Sequence, residues 1–134
     1  MTATRQPLVL IVAGDALTRR LTANGLEMYG YEVVAAKDGG EAMELLRTER
    51  RIGLVITDVE LGGDIDGLAV AQAARQADPR MLVIYTARSP HAIPAKRKVS
   101  AAPTLRTPYH PQQIVGLIAQ LRQAGGGGDA AEAA

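Results

Sequence analysis

Polar side chains follow the ends of several short aliphatic runs, and Asp58 is the most informative of them. It comes directly after Leu54, Val55, Ile56 and Thr57. Burying a carboxylate at such a point is costly unless the group has a partner or a use, so Asp58 is the first candidate for a functional residue. Other polar residues stand at comparable positions: Asp15, Glu60, Thr86 and Thr107.

The elements that would position these residues alternate between strands and helices. Aliphatic runs occur at residues 8–13, 32–36, 52–57, 81–86 and 104–106, and amphipathic stretches at 16–29, 39–50, 67–76 and 111–124. Continuous aliphatic runs are typical of parallel strands that are buried on both faces. The pattern predicts a doubly wound α/β domain with a five-stranded parallel sheet and helices on both faces. Ligands of such sheets bind beyond the carboxyl ends of the strands, where the polar residues above fall.

The segment 88–103 departs from this alternation. Pro90, Pro94 and Pro103 lie within it. A proline inside a helix costs about 3 kcal/mol. We therefore predict that the fourth helix is short, starting near Pro94, or irregular, or missing.

Turn residues predict where the other helices begin and end. Gly30 is a candidate C-terminal cap of the first helix, and Asp38 and Asp66 are candidate N-terminal caps of the second and third. Residues 125–134 read GGGGDAAEAA and offer no large apolar side chain to bury. We expect one domain over residues 1–124 and a flexible Gly/Ala-rich tail over 125–134.

Composition excludes several classes of protein. The 134 residues are 47% hydrophobic and carry a net charge of +1, which suits one folded domain and gives no global attraction to nucleic acid or anionic lipid. The absence of cysteine excludes disulfides, thiolate metal sites and a cysteine nucleophile. No run is long enough for a signal peptide or a membrane span, so we expect a cytoplasmic protein with no membrane partner.

Several motifs together resemble the receiver domain of two-component response regulators over about residues 7–123. They are Tyr31 to Ala36, Asp38-Gly39 with Glu41-Ala42, Leu54 to Leu61, Asp66-Gly67-Leu68 and Thr107-Pro108-Tyr109. The resemblance implies a flavodoxin-like strand order 2-1-3-4-5 and a signalling module rather than an enzyme.

The resemblance also assigns roles to single residues. Asp58 would accept a phosphoryl group from the phosphohistidine of a histidine kinase or phosphotransfer protein, as one step of a phosphorelay. Thr86 would be the switch hydroxyl that bonds the new phosphate. The backbone carbonyl of Glu60 would ligate Mg²⁺, and Pro108 would form the turn after the last strand.

The sequence departs from the family at three places. Ala13 and Gly14 stand where the family carries two acidic residues, so Mg²⁺ is expected to bind weakly or not at all. Asp15 is the remaining candidate ligand there, although an N-cap of the first helix is the favoured interpretation. Thr107 stands in place of the phosphate-binding lysine; it can contact phosphate but brings no charge. Thr104 replaces an aromatic residue that moves with the switch.

Simpler interpretations stand beside these. Asp58 could only cap a turn, and Thr86 could be an ordinary strand residue. The segment 64–67 lacks the ligand spacing of a calcium loop, and no glycine-rich phosphate loop follows Gly14. His91 and His110 are isolated from one another, and neither has an acidic residue at ligand spacing, so no catalytic triad is predicted.

Positive charge is concentrated late in the chain. Residues 79–128 contain seven Lys and Arg and no acidic residue. In receiver-like proteins this third forms a face for partners and dimers, on which Arg88, Lys96, Arg97 and Lys98 would lie. An acidic protein target or a homodimer is favoured over direct nucleic-acid binding, and a merely solvated face is the alternative.

Three functions follow from these observations. The leading one is a single-domain response regulator switched at Asp58. The second is a pseudo-receiver that works as a protein-interaction module without phosphorylation, as Ala13, Gly14 and Thr107 suggest. A flavin- or nucleotide-binding enzyme on the same fold is the third, and the sequence lacks its phosphate loop.

Overall fold

The computed structural model describes the backbone of residues 7–133 and the side chains of residues 7–124. Within this part, five parallel strands form one sheet in the order β2-β1-β3-β4-β5. The strands are β1 Leu8–Val12, β2 Val33–Ala36, β3 Ile52–Asp58, β4 Leu82–Ala87 and β5 Thr104–Arg106. The predicted fold class and strand order are confirmed, and the strand bounds differ from the predicted ones by at most one residue at each end.

Helices cover both faces of the sheet. They are α1 Ala16–Met28, α2 Gly39–Thr48, α3 Gly67–Ala77 and α4 Pro111–Ala133. One core cluster joins α2 and α3 to the sheet, and a second joins α1 and α4 to its other face. The two layers explain why β1 and residues 54–56 of β3 are aliphatic, since a central strand buries alternate side chains in both clusters.

The segment between β4 and β5 contains no α-helix. Two single 3₁₀ turns, Pro90–Ala92 and Ala95–Arg97, take its place. The prolines explain the break: Pro90 starts the first turn and Pro94 precedes the second, and neither can donate a backbone hydrogen bond. The prediction of a short or irregular fourth helix is confirmed.

Helix ends follow the predicted caps. Asp38 and Asp66 accept hydrogen bonds from the backbone N–H of Glu41 (2.8 Å) and Ala69 (2.9 Å). Gly30 has φ +91°, which L side chains rarely adopt. Its N–H donates to the carbonyl of Glu27 (2.9 Å), so α1 ends in a left-handed glycine turn.

The last helix differs from its predicted extent. It spans Pro111–Ala133, whereas the sequence predicted an end at Ala124. The side chains of residues 125–134 lie outside the described part, and the flexible tail predicted there stays a prediction. No helix in the described part of the chain is long and apolar enough to cross a membrane.

Candidate functional site

Asp58 and Thr86 meet at the carboxyl edge of the sheet. Asp58 is the last residue of β3, and the parallel register pairs it with Thr86 of β4. The buried Thr86 hydroxyl donates a hydrogen bond to Asp58 Oδ1. A hydroxyl that already contacts the carboxylate is placed to sense any group attached there.

Burial dominates the electrostatics of Asp58. The half-buried position raises the pKa of its carboxyl above the ordinary value, because the charged form is poorly solvated. Hydrogen bonds from the Thr86 hydroxyl and the Gly14 backbone N–H act in the opposite direction and favour the ionised form. The carboxylate therefore keeps polar partners on two sides while it remains partly open to water.

A close approach of α3 fixes the backbone around Asp58. The Gly67 N–H donates to the carbonyl of Val59 (2.9 Å), and the Val59 N–H donates to that of Thr86 (2.9 Å). A β-carbon on Gly67 would lie 1.8 Å from the Asp58 carbonyl oxygen. Only glycine fits at the start of α3, which explains the Asp66-Gly67 pair after the strand.

Asp58 opens into a cavity of about 360 Å³. Its lining combines three acidic residues, three hydroxyls, one alanine and one arginine: Asp15, Asp58 and Glu60; Thr18, Thr86 and Thr107; Ala87; and Arg88. The structure thus brings together the predicted residues of the β1, β3, β4 and β5 ends. Pro108 lies just outside, at the turn between β5 and α4, and borders a neighbouring cavity.

Asp15 is the N-cap of α1, as the favoured interpretation predicted. Its Oδ2 accepts hydrogen bonds from the backbone N–H (2.8 Å) and the hydroxyl (2.7 Å) of Thr18. These bonds lower the pKa of the exposed Asp15 carboxyl. In the same loop, the Arg19 guanidinium donates to the Ala13 carbonyl oxygen (2.7 Å). A positive side chain therefore lies against the loop in which the family carries its acidic pair.

Among the described residues, no group of three or more acidic or histidine side chains is arranged to hold a metal ion. The nearest approach to a donor set is the cavity itself, with Asp58, Asp15 and Glu60 on its walls. Two of the carboxylate oxygens already accept hydrogen bonds, Asp58 Oδ1 from Thr86 and Asp15 Oδ2 from Thr18.

A family model described as the response regulator receiver domain matches residues 9–119, most of the chain. The chain belongs to the receiver domain family. Receiver domains are generally non-enzymatic signalling modules that interact with histidine kinases or phosphotransfer proteins and typically bind Mg²⁺ at an acidic pocket. Membership places this chain in two-component signal transduction.

The curated relatives that this chain matches are longer proteins. The transcriptional regulatory protein AfsQ1 of Streptomyces coelicolor is 34% identical over 83 residues, which cover 62% of this chain and 36% of AfsQ1. The aerobic respiration control protein ArcA of Escherichia coli K12 is 37% identical over 82 residues, which cover 61% of this chain and 34% of ArcA. The matched part is thus about a third of the length of these curated relatives.

Solved structures give the same family. A response regulator receiver protein from Sinorhizobium medicae superposes with a TM-score of 0.82 at 27% identity, covering 88% of this chain and 95% of the other. The chemotaxis protein CheY4 of Vibrio cholerae, at 22% identity and a TM-score of 0.73, covers 87% and 98% of the two chains and shows the fold alone.

The basic residues of this receiver domain have different surroundings. Lys96 is exposed, and Arg88 is exposed at the acceptor cavity. Arg97 forms a two-pronged ion pair with Asp66, at 2.8 and 3.0 Å, which lowers the pKa of that carboxyl. Lys98 is half-buried, and its Nζ donates to the Thr104 hydroxyl (2.9 Å). Arg97 and Lys98 thus have partners within the receiver domain, and the partner face on or beside which the sequence placed these four residues stays a prediction.

The sequence analysis assigned no contact to two tyrosines. Tyr85 is fully buried, accepts the Val99 N–H (3.0 Å) and lies 5.5 Å from Lys98 Nζ, measured to the ring centre. The aromatic side chain near Thr104 is thus supplied by β4 instead of β5. The Tyr109 hydroxyl lies 2.8 Å from that of Thr22 and ties the turn after β5 to α1. The signals in the sequence were the position of Tyr85 directly before Thr86 and that of Tyr109 in the Thr107-Pro108-Tyr109 motif.

Proposed function

We propose that the chain is a response regulator whose Asp58 accepts a phosphoryl group from the phosphohistidine of a histidine kinase or phosphotransfer protein. The observation that carries the proposal is the hydrogen bond from the buried Thr86 hydroxyl to a carboxylate that opens into a polar cavity. Family membership supports it. The single-domain organisation expected from the sequence stays a prediction.

The step is an in-line substitution at phosphorus. One Asp58 carboxylate oxygen forms a bond to phosphorus while the phosphorus–nitrogen bond of the donor breaks. The histidine leaves as imidazole with its electron pair on nitrogen, and that nitrogen takes a proton. The hydroxyls of Thr86 and Thr107 are donors that line the space in which the phosphoryl oxygens would lie.

Mg²⁺ is proposed as a weakly bound cofactor. The donors that remain are the second oxygens of Asp58 and Asp15 and the backbone carbonyl of Glu60, and Mg²⁺ is often held by one or two carboxylates with waters. When bound, Mg²⁺ would offset negative charge on the phosphoryl oxygens. A titration followed by the amide NMR signals of Gly14 and Glu60 tests this. We expect weak saturation that Asp15→Asn weakens further and Asp58→Asn abolishes.

Phosphoramidate tests the acceptor itself, because its phosphorus–nitrogen bond resembles that of phosphohistidine. We expect intact-mass spectrometry to show one added phosphoryl group on the wild type in Mg²⁺ buffer and none on Asp58→Asn. Asp64→Asn is the matched control, since this exposed carboxylate lies in the following loop and outside the cavity. Labelling that persists in Asp58→Asn would refute the proposal.

A phosphorylation-independent interaction module is the second candidate. It is favoured by the β1–α1 loop, where Ala13 and Gly14 provide no carboxylate and Arg19 contributes positive charge. This candidate predicts that Asp58→Asn leaves the partner affinity and the cellular phenotype unchanged. A phenotype equal to loss of the protein would contradict it.

The basic carboxyl-terminal third is proposed to meet an acidic protein target or a second copy of the chain. Residues 79–128 include no acidic residue, and Arg80 and Lys96 are exposed. The proposed setting is the cytoplasm, where a kinase has access to ATP. Lys96→Glu should weaken partner binding or self-association in sedimentation measurements at low salt, whereas a neutral effect would favour the merely solvated face.

A further inference from the structure

The acceptor cavity is lined by more acidic than basic side chains, although a phosphoryl group requires positive charge around it. Three of its lining residues are acidic, and Thr107 stands where the family has lysine. A phosphate monoester adds about −1.5 to −2 charge at neutral pH. Any phosphoryl group on Asp58 would enter a cavity that is already negative, unless a cation of the chain compensates.

Arg88 is the one cationic side chain on the wall of this cavity. It comes directly after β4, two residues beyond Thr86, and lines the cavity beside that residue. Arg88 also borders the neighbouring cavities beside α1 and beside the 3₁₀ turns, so its side chain lies where the three spaces meet.

The guanidinium of Arg88 has no hydrogen-bond or ion-pair partner among the described residues. Other cations near the site are engaged: Arg19 binds the Ala13 carbonyl, Arg97 binds Asp66, and Lys98 binds Thr104. Arg106 is exposed and does not line the cavity. Arg88 can therefore turn toward a new anion without breaking an existing contact.

We infer that Arg88 binds the phosphoryl oxygens on Asp58 and supplies the charge that Thr107 does not. The inference rests on the proposed acceptor function of Asp58. A planar guanidinium presents parallel N–H donors that match two phosphate oxygens, which an ammonium group does not do. Because Arg88 begins the segment that replaces the fourth helix, its movement would carry the phosphorylation state into that segment.

The test measures the rate of phosphoramidate labelling and the half-life of the acyl phosphate in Arg88→Ala, Arg88→Lys and the wild type. Arg106→Ala is the matched control, as it removes the same charge from an exposed neighbouring site. We expect labelling of Arg88→Ala to be about tenfold slower, the lower end of what losing a hydrogen bond to a charged group causes. Arg88→Lys should recover part of the rate, and Arg106→Ala should match the wild type.

A direct measurement accompanies the kinetics. The side-chain Nε–H NMR signal of Arg88 should shift on phosphorylation of the wild type, whereas that of Arg106 should not. Equal labelling of Arg88→Ala and wild type, or an equal loss in Arg106→Ala, would overturn the inference and leave Asp58 as the acceptor. Absence of labelling in the wild type would overturn the acceptor proposal, and this inference with it.

Discussion

Replacing Thr86 by valine tests the hydrogen bond on which the candidate site depends. Valine keeps the β-branched shape but removes the hydroxyl that donates to Asp58 Oδ1. Thr86 is 2% exposed, so water cannot take over the role of the hydroxyl from its own side. Asp58 is only half-buried, and water can partly compensate at the carboxylate.

The magnitude follows from this partial exposure. A hydrogen bond to a charged group contributes about 1.5–3 kcal/mol, and the access of water to Asp58 favours the lower end. We expect Thr86→Val to lower the free energy of unfolding by about 1.5 kcal/mol at pH 7, which corresponds to a melting temperature about 5 °C lower.

A double-mutant cycle with Asp58→Ala isolates the pair. Once the carboxylate is absent, Thr86→Val should cost little, so the coupling energy should be about 1.5 kcal/mol. The hydroxyl favours the ionised carboxylate, so its contribution should be present at neutral pH and be lost as the pH falls through the native pKa of Asp58.

Urea unfolding followed by far-UV circular dichroism gives the four free energies, since the chain has no tryptophan for fluorescence. A coupling energy indistinguishable from zero at pH 7 would refute the bond between Thr86 and Asp58. The proposed switch would then have lost its structural basis.

Three further experiments test the surroundings of the site. Burial raises the native pKa of Asp58, so the wild type loses stability as the pH rises through that value. In thermal melts Asp58→Asn should therefore be more stable than the wild type at pH 7, and this difference in stability should shrink toward pH 4. A difference that grows toward pH 4 would contradict this reasoning. Arg97→Ala removes only a partly exposed ion pair and should lower the free energy of unfolding in urea only slightly. Asp66→Ala also removes the α3 N-cap and should lower it by about 1.5 kcal/mol; equal effects of the two substitutions would argue against the cap. Gly67→Ala should lower the free energy of unfolding by about 3 kcal/mol, because the new β-carbon would meet the Asp58 carbonyl oxygen. In the control Gly62→Ala the new β-carbon has no atom within 4 Å, so the free energy of unfolding should change by less than about 0.5 kcal/mol.

Interactions between near neighbours in the chain were predictable. Aliphatic runs indicated strands buried on both faces, and the hydrogen bonds of the caps at Gly30, Asp38 and Asp66 each span three residues. The prolines of the segment 88–103 indicated the broken fourth helix, because a missing N–H is a property of the residue itself.

Contacts between distant residues were not predictable in the same way. Thr22 and Tyr109 are 87 positions apart, and Asp66 and Arg97 are 31 apart. Each pair forms because several elements pack together and then present two side chains to one another. The replacement of an aromatic at Thr104 by Tyr85 from the adjacent strand is of this kind too.

The amino-acid sequence alone determined the α/β alternation, the position of Asp58 at a strand end, the missing acidic pair and the concentration of positive charge in residues 79–128. Only the tertiary structure decided which of those positively charged side chains have partners. Arg97 and Lys98 bind Asp66 and Thr104, whereas Arg88 lines the acceptor cavity. The physical reason is the distance along the chain over which each interaction acts. Strand burial and helix capping depend on residues within one turn or one run, whereas the direction of a long charged side chain depends on every element that packs around it.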